Sequence, residues 1–138
     1  MSRTINLTRY LFYTTLSLLV WGVMIHEYGH LVYLTIIGVN GSIISTNLSA
    51  TYALEPLTQT QSTLFSLAGG ILEALYGLYL TLSKDNETWL TGVTLTTWSL
   101  IYAVTETMGQ TTLGAVTASG LTFILILYLN TVQVIHFD

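Results

Sequence analysis

The chain has 138 residues, of which 51% are hydrophobic and only 7% charged. Soluble domains carry about 25% charged residues, so three Lys+Arg and seven Asp+Glu exclude an ordinary water-facing surface, a disordered chain and a nucleic-acid binder with its basic patch. With a mean hydropathy of +0.64, the composition predicts a small integral membrane protein whose first partner is the lipid bilayer. The absence of Cys excludes disulfide scaffolds, iron–sulfur sites and thiolate metal sites, leaving His and carboxylates as the metal ligands.

A membrane-crossing helix needs about 20 mostly apolar residues. Four stretches meet that length, at about 10–38, 61–82, 88–108 and 115–135. The apolar run after Arg3 and Arg9 is too long for the core of a cleaved leader and no small-x-small cleavage site follows it, so it reads as an uncleaved span. The third stretch is diluted by seven Thr and one Ser, which predicts a helix packed inside the bundle. No internal repeat or linker divides the chain. The expectation is one all-α membrane domain over 1–138, with four transmembrane helices.

Arg3, Arg9 and Lys84 fall on one side of a four-span topology, and Lys and Arg mark the cytoplasmic side. The N-terminus, the turn at 83–87 and the C-terminus are therefore expected in the cytoplasm. The outer loop, 39–60, contains the turn signal Asn40-Gly41. Leu48, Ala50, Tyr52 and Leu54 then alternate with Asn47, Ser49, Thr51 and Ala53, a period-two pattern that predicts a short strand or hairpin. Two glycosylation sequons, Asn40-Gly41-Ser42 and Asn47-Leu48-Ser49, lie in the same loop.

His26-Glu27-Tyr28-Gly29-His30 is an HExxH motif within the first apolar stretch. Residues i and i+4 share one helical face, so both imidazoles reach one ion, and Glu27 stands close enough to take a proton from water that the ion activates. Two of the chain's three His fall in this register. Ionisable groups at membrane depth are costly and read as functional; the bland alternative is two His and a Glu hydrogen-bonded within the bundle.

On these residues the chain resembles the site-2 proteases, intramembrane zinc metallopeptidases that carry HExGH in a membrane helix. A later Gly-Pro-x-x-Asn type motif of that family looks like Ala68-Gly69-Gly70-Ile71-Leu72-Glu73, with Gly70 where the family has Pro and Glu73 where it has Asn. The resemblance covers about 15–80. It implies Zn²⁺ held by His26 and His30, Glu27 as general base, and hydrolysis of peptide bonds in membrane-embedded substrates. The family takes its third ligand from an Asp in a later helix, and this chain has no Asp within a span.

A catalytic zinc takes three protein ligands and a water. Besides Glu27, the spans offer Glu73 and Glu106. At about 1.5 Å rise per residue, His26 lies about 24 Å from the inner end of its helix, Glu106 about 25 Å and Glu73 about 15 Å. Glu106 is therefore the expected third ligand, in the helix where the family supplies its Asp. Glu73 is the alternative, as ligand or as substrate contact. His136 and Glu55 read as surface groups, and Asp85 and Glu87 as turn and helix-start residues.

Two functions follow. The leading one is an intramembrane zinc metalloendopeptidase acting on a membrane-protein substrate. The alternative is a non-catalytic accessory or structural subunit of a larger membrane complex, which retains a metallopeptidase-like metal site or fold among its partner subunits.

Overall fold

A computed structural model of the chain describes residues 2–46 and 48–138. A short strand, β1 (Arg3–Ile5), leads into α1 (Leu7–Leu16), a π-helical turn (Ser17–Gly22) and α2 (Val23–Ile36). The backbone stays in the right-handed helical region across both junctions, so the first stretch is one continuous rod. Asn6 starts it by accepting a hydrogen bond from the Arg9 amide, and Gly38 (φ 72°) ends it in the left-handed region that a Cβ disfavours.

An antiparallel hairpin follows, β2 (Gly41–Thr46) and β3 (Leu48–Ala53), with Ile43 opposite Thr51 and Ile44 opposite Ala50. The Asn40-Gly41 pair does not form its turn. Asn40 instead opens the hairpin by accepting a hydrogen bond from the Leu54 amide, and Gly41 fits against Leu34, which an added Cβ would meet at 2.5 Å. The sequon at Asn47 lies outside the described residues.

Three long helices complete the chain: α3 (Gln59–Leu80), α4 (Asn86–Thr107) and α5 (Thr111–Thr131). Thr58 and Gln61 form a reciprocal capping box at the start of α3. Asp85 caps α4 by accepting from the Thr88 amide and hydroxyl. That hydroxyl, the amide and nearby Arg9 hold the Asp85 carboxyl below the usual carboxylate range. A three-residue strand, β4 (Ile135–Phe137), pairs in parallel with β1.

The four rods start and stop within about one turn of the expected limits. The fold is mostly helical with a small two-stranded hairpin. α4 is the central helix, packed on α1, α3 and α5. It buries Thr91, Thr94 and Ser99 beside Leu90, Leu95 and Ala103, so the Thr-rich stretch does lie inside. Gly77 lets α3 and α4 approach closely: an added Cβ would meet Thr96 Oγ1 at 2.5 Å.

The chain ends and the 83–87 turn gather at one end of the bundle. Arg3 donates to the Asn86 side chain and lies over the Trp89 ring. Buried Glu87 accepts from the Asn6 amide at 2.8 Å and lies 3.6 Å from Arg9. Ile5, Tyr10, Leu90 and Ile135 form the apolar core there.

The interior as a whole is unusually polar. Among the described residues, eleven polar or charged side chains are buried against nine hydrophobic ones. The outside is the reverse: Leu19 (70%), Ile36 (76%), Tyr79 (70%) and Val116 (66%) are exposed along the rods. Two helices, α3 and α5, are long and apolar enough to cross a membrane by length and composition.

Candidate metal centre

The HExxH helix carries His26 and His30 one turn apart on one face, with their rings edge-on at 4.7 Å. Both are buried, as is Glu27 between them in sequence. Glu106, in the last turn of α4, reaches the same point from across the bundle. Its Oε2 lies 3.3 Å from His26 Nε2 and its Oε1 3.7 Å from His30 Nε2. The donor atoms of His26, His30 and Glu106 all lie within 4.8 Å of one another.

Glu106 Oε2 is buried and, among the described residues, has no hydrogen-bond partner. A buried carboxylate oxygen without a donor costs about 1–3 kcal/mol or more, since the group is charged. Two imidazole nitrogens and this oxygen converging on one point form a donor set that fits a divalent cation, which would satisfy all three. This group could hold a metal ion.

α3 crosses the motif helix at close range, because both helices carry glycine there. An added Cβ on Gly29 would meet the Ala68 carbonyl at 2.5 Å, and one on Gly69 would meet His30 Nε2 at 2.6 Å and His26 Nε2 at 2.7 Å. The close crossing lets the Phe65 carbonyl accept from His30 Nδ1 at 2.7 Å. Glu73, also on α3, lies with Oε2 3.5 Å from His26 Nδ1. Glu73 therefore faces the opposite ring nitrogen from Glu106, and it stands outside the three-residue donor group.

Glu27 is held by the hairpin. Thr51 Oγ1 lies 2.7 Å from Glu27 Oε2 and 3.1 Å from the Glu27 carbonyl, both of which can accept its hydroxyl hydrogen. The apolar and polar faces of β3 are thus the reverse of a water-facing strand: Thr51 is buried on α2, while Tyr52 and Leu54 are exposed. Above the site is a cavity of about 510 Å³ lined by His26, Glu27, Glu73 and Glu106, with Ala50 of β3 and Trp98 of α4 at its walls. Trp98 stacks on Tyr102 and donates to Ser119 of α5.

The structure thus brings His26, Glu27, His30, Glu73 and Glu106 together. It sets His136 apart, in β4 at the opposite end from the last turn of α4, and leaves Glu55 exposed. Sequence reasoning did not single out Thr51, Gly22 or the Phe65 carbonyl. Thr51 had a signal, as a polar position in the alternating strand. The Phe65 contact is made by a backbone atom, which no side-chain pattern reports. No protein-family model, no curated protein and no solved structure matches this chain.

Proposed function

We propose that this chain is an integral membrane zinc metallopeptidase of the site-2 protease type, acting on peptide bonds of membrane-embedded substrates. The observation that carries the reading is the convergence of His26, His30 and Glu106 beneath a cavity that also holds Glu27. Ligand atoms around a tetrahedral zinc with bonds of about 2.0–2.1 Å stand about 3.3 Å apart. The 3.3 Å and 3.7 Å separations from Glu106 to the two imidazoles are close to that spacing.

His26, His30 and Glu106 would hold the ion. Bound there, zinc would polarise the scissile carbonyl and bring the pKa of water to about 7. Glu27 takes the proton from the attacking water and passes it to the leaving amine. The Thr51 hydrogen bond fixes its carboxylate and leaves the second oxygen for that proton. β3, with Ala50 on the cavity wall, offers backbone groups to an unwound substrate segment by strand addition.

The membrane setting is supported by the exposed apolar rods and the polar interior, a distribution that monomeric soluble proteins avoid. Arg3, Arg9 and Lys84 favour a cytoplasmic position for the end that gathers both termini.

One observation favours a second reading. His26 lies between Glu73 and Glu106, so a protonated imidazole could be paired on both sides without any ion, as in a non-catalytic subunit of a larger complex. The discriminating experiment is proteolysis. The purified chain, reconstituted in vesicles with zinc, is expected to cut members of a panel of single-span membrane peptides within their apolar segments. A zinc chelator should stop cleavage and added zinc restore it. A zinc-loaded protein that cuts none of the panel would favour the subunit reading.

A further inference from the structure

The two imidazoles of the centre are both approached from behind by one face of α3. Phe65, Gly69 and Glu73 recur at four-residue spacing and so share that face. Phe65 supplies a carbonyl to His30 Nδ1 at 2.7 Å, Gly69 supplies the gap beneath both Nε2 atoms, and Glu73 supplies a carboxylate at 3.5 Å from His26 Nδ1. The geometry points to Glu73 as a positioning residue that accepts the Nδ1–H of His26 and turns its Nε2 toward Glu106, an inference that rests on the metal-centre reading above.

The chemistry requires such a partner. An imidazole ligand offers a lone pair on one nitrogen only when the other carries the proton, and a carboxylate or carbonyl on that second nitrogen fixes the tautomer and raises ligand basicity. His30 has its carbonyl. Glu73 gives His26 the stronger, charged acceptor. A ligand role for Glu73 would need the His26 ring to turn over, since Glu73 lies on the Nδ1 side and Glu106 on the Nε2 side.

The rod is shaped to seat this carboxylate. The π-helical turn Ser17–Gly22 ends one turn before His26, and π turns widen a helix locally, frequently at functional sites. At its end, an added Cβ on Gly22 would lie 2.6 Å from Glu73 Oε1. The side chain of Glu73 is only 3% exposed, so it sits in a slot made by the missing Cβ.

The test compares wild type with Glu73→Gln, Glu73→Leu, Gly22→Ala and Glu106→Gln, using zinc affinity by chelator competition and the visible spectrum of the Co²⁺-substituted protein. Circular dichroism confirms that each variant is folded, and Glu73→Gln keeps the shape of the native side chain. Glu73→Leu and Gly22→Ala are expected to bind about one ion per chain but about 10–100-fold more weakly, with shifted Co²⁺ bands, and Glu73→Gln to fall between them and wild type. Wild-type affinity and spectrum in Glu73→Leu would overturn this inference alone. Loss of the ion in Glu73→Gln with full retention in Glu106→Gln would overturn it by making Glu73 the ligand. A wild type that binds no ion would overturn the metal-centre reading and this inference with it.

Discussion

Glu27→Gln is expected to lower peptide-bond hydrolysis by about 100- to 10,000-fold, the range for loss of a positioned general base, while the zinc content stays at the wild-type level. Gln matches Glu in size and can still accept the Thr51 hydrogen bond, so the hairpin and the buried packing around it are kept. What it cannot do is take a proton. The His26 and His30 imidazoles and Glu106 are untouched by the change, so the separation of activity from metal content is the diagnostic feature. Activity within about tenfold of wild type would remove Glu27 from the reaction, because no general base contributes so little. Zinc loss in this variant would mean that Glu27 belongs to the ligand set.

Gly69→Ala is expected to cost the centre most of its metal affinity without touching a ligand. The new Cβ would stand 2.6 Å from His30 Nε2 and 2.7 Å from His26 Nε2, inside contact distance of both imidazole nitrogens. The helices cannot part easily to make room, since Gly29 already brings α2 against the Ala68 carbonyl. Either both imidazoles swing off the ion or α3 moves, and α3 carries the Phe65 and Glu73 contacts to their other nitrogens. Overpacking of this kind costs about 1–3 kcal/mol. Spent on the ligand geometry, that corresponds to about 5- to 150-fold in affinity. Gly120→Ala is the control. Its Cβ meets nothing within 4 Å, and replacing a glycine inside a helix by Ala gains up to about 1 kcal/mol, so zinc binding should be unchanged. Equal zinc affinity in Gly69→Ala and wild type would show that the close crossing does not shape the centre.

Much of this arrangement is legible in the sequence. The four apolar stretches mark the rods because length and hydropathy are properties of contiguous residues. HExxH is legible because its geometry is set by one helix. Glu106 needed a depth argument across two helices, and its carboxylate does lie beside both imidazoles, because His26 and Glu106 stand at nearly equal heights in parallel rods that start from the same end. Glu73 shows the limit of that argument. Helix rise places it about 10 Å away from the motif in depth, yet its carboxylate reaches His26. The rods do not run as parallel posts of ideal pitch: a π turn interrupts the first, and α2 leaves α4 to pack on α3.

The hairpin was legible in position and not in detail. Alternation marked a strand at 48–54, but the faces are reversed relative to a soluble protein, with Thr51 inward and Tyr52 and Leu54 outward. Thr51 turns inward because the buried partner on α2 is a carboxylate. The pairing of β1 with β4 joins residues at opposite ends of the chain and has no local signal. It is supported by Glu87, which reads in sequence as a helix-start residue and proves to be the buried acceptor of the Asn6 amide.

Whether His26, His30 and Glu106 hold one metal ion is read from the metal content of the detergent-purified protein, prepared without chelators, for wild type, His26→Ala and Glu106→Gln. The expected result is about one zinc per wild-type chain, near-complete loss in His26→Ala and weakened retention in Glu106→Gln. A wild type without metal, or a His26→Ala variant that keeps its full complement, would contradict it.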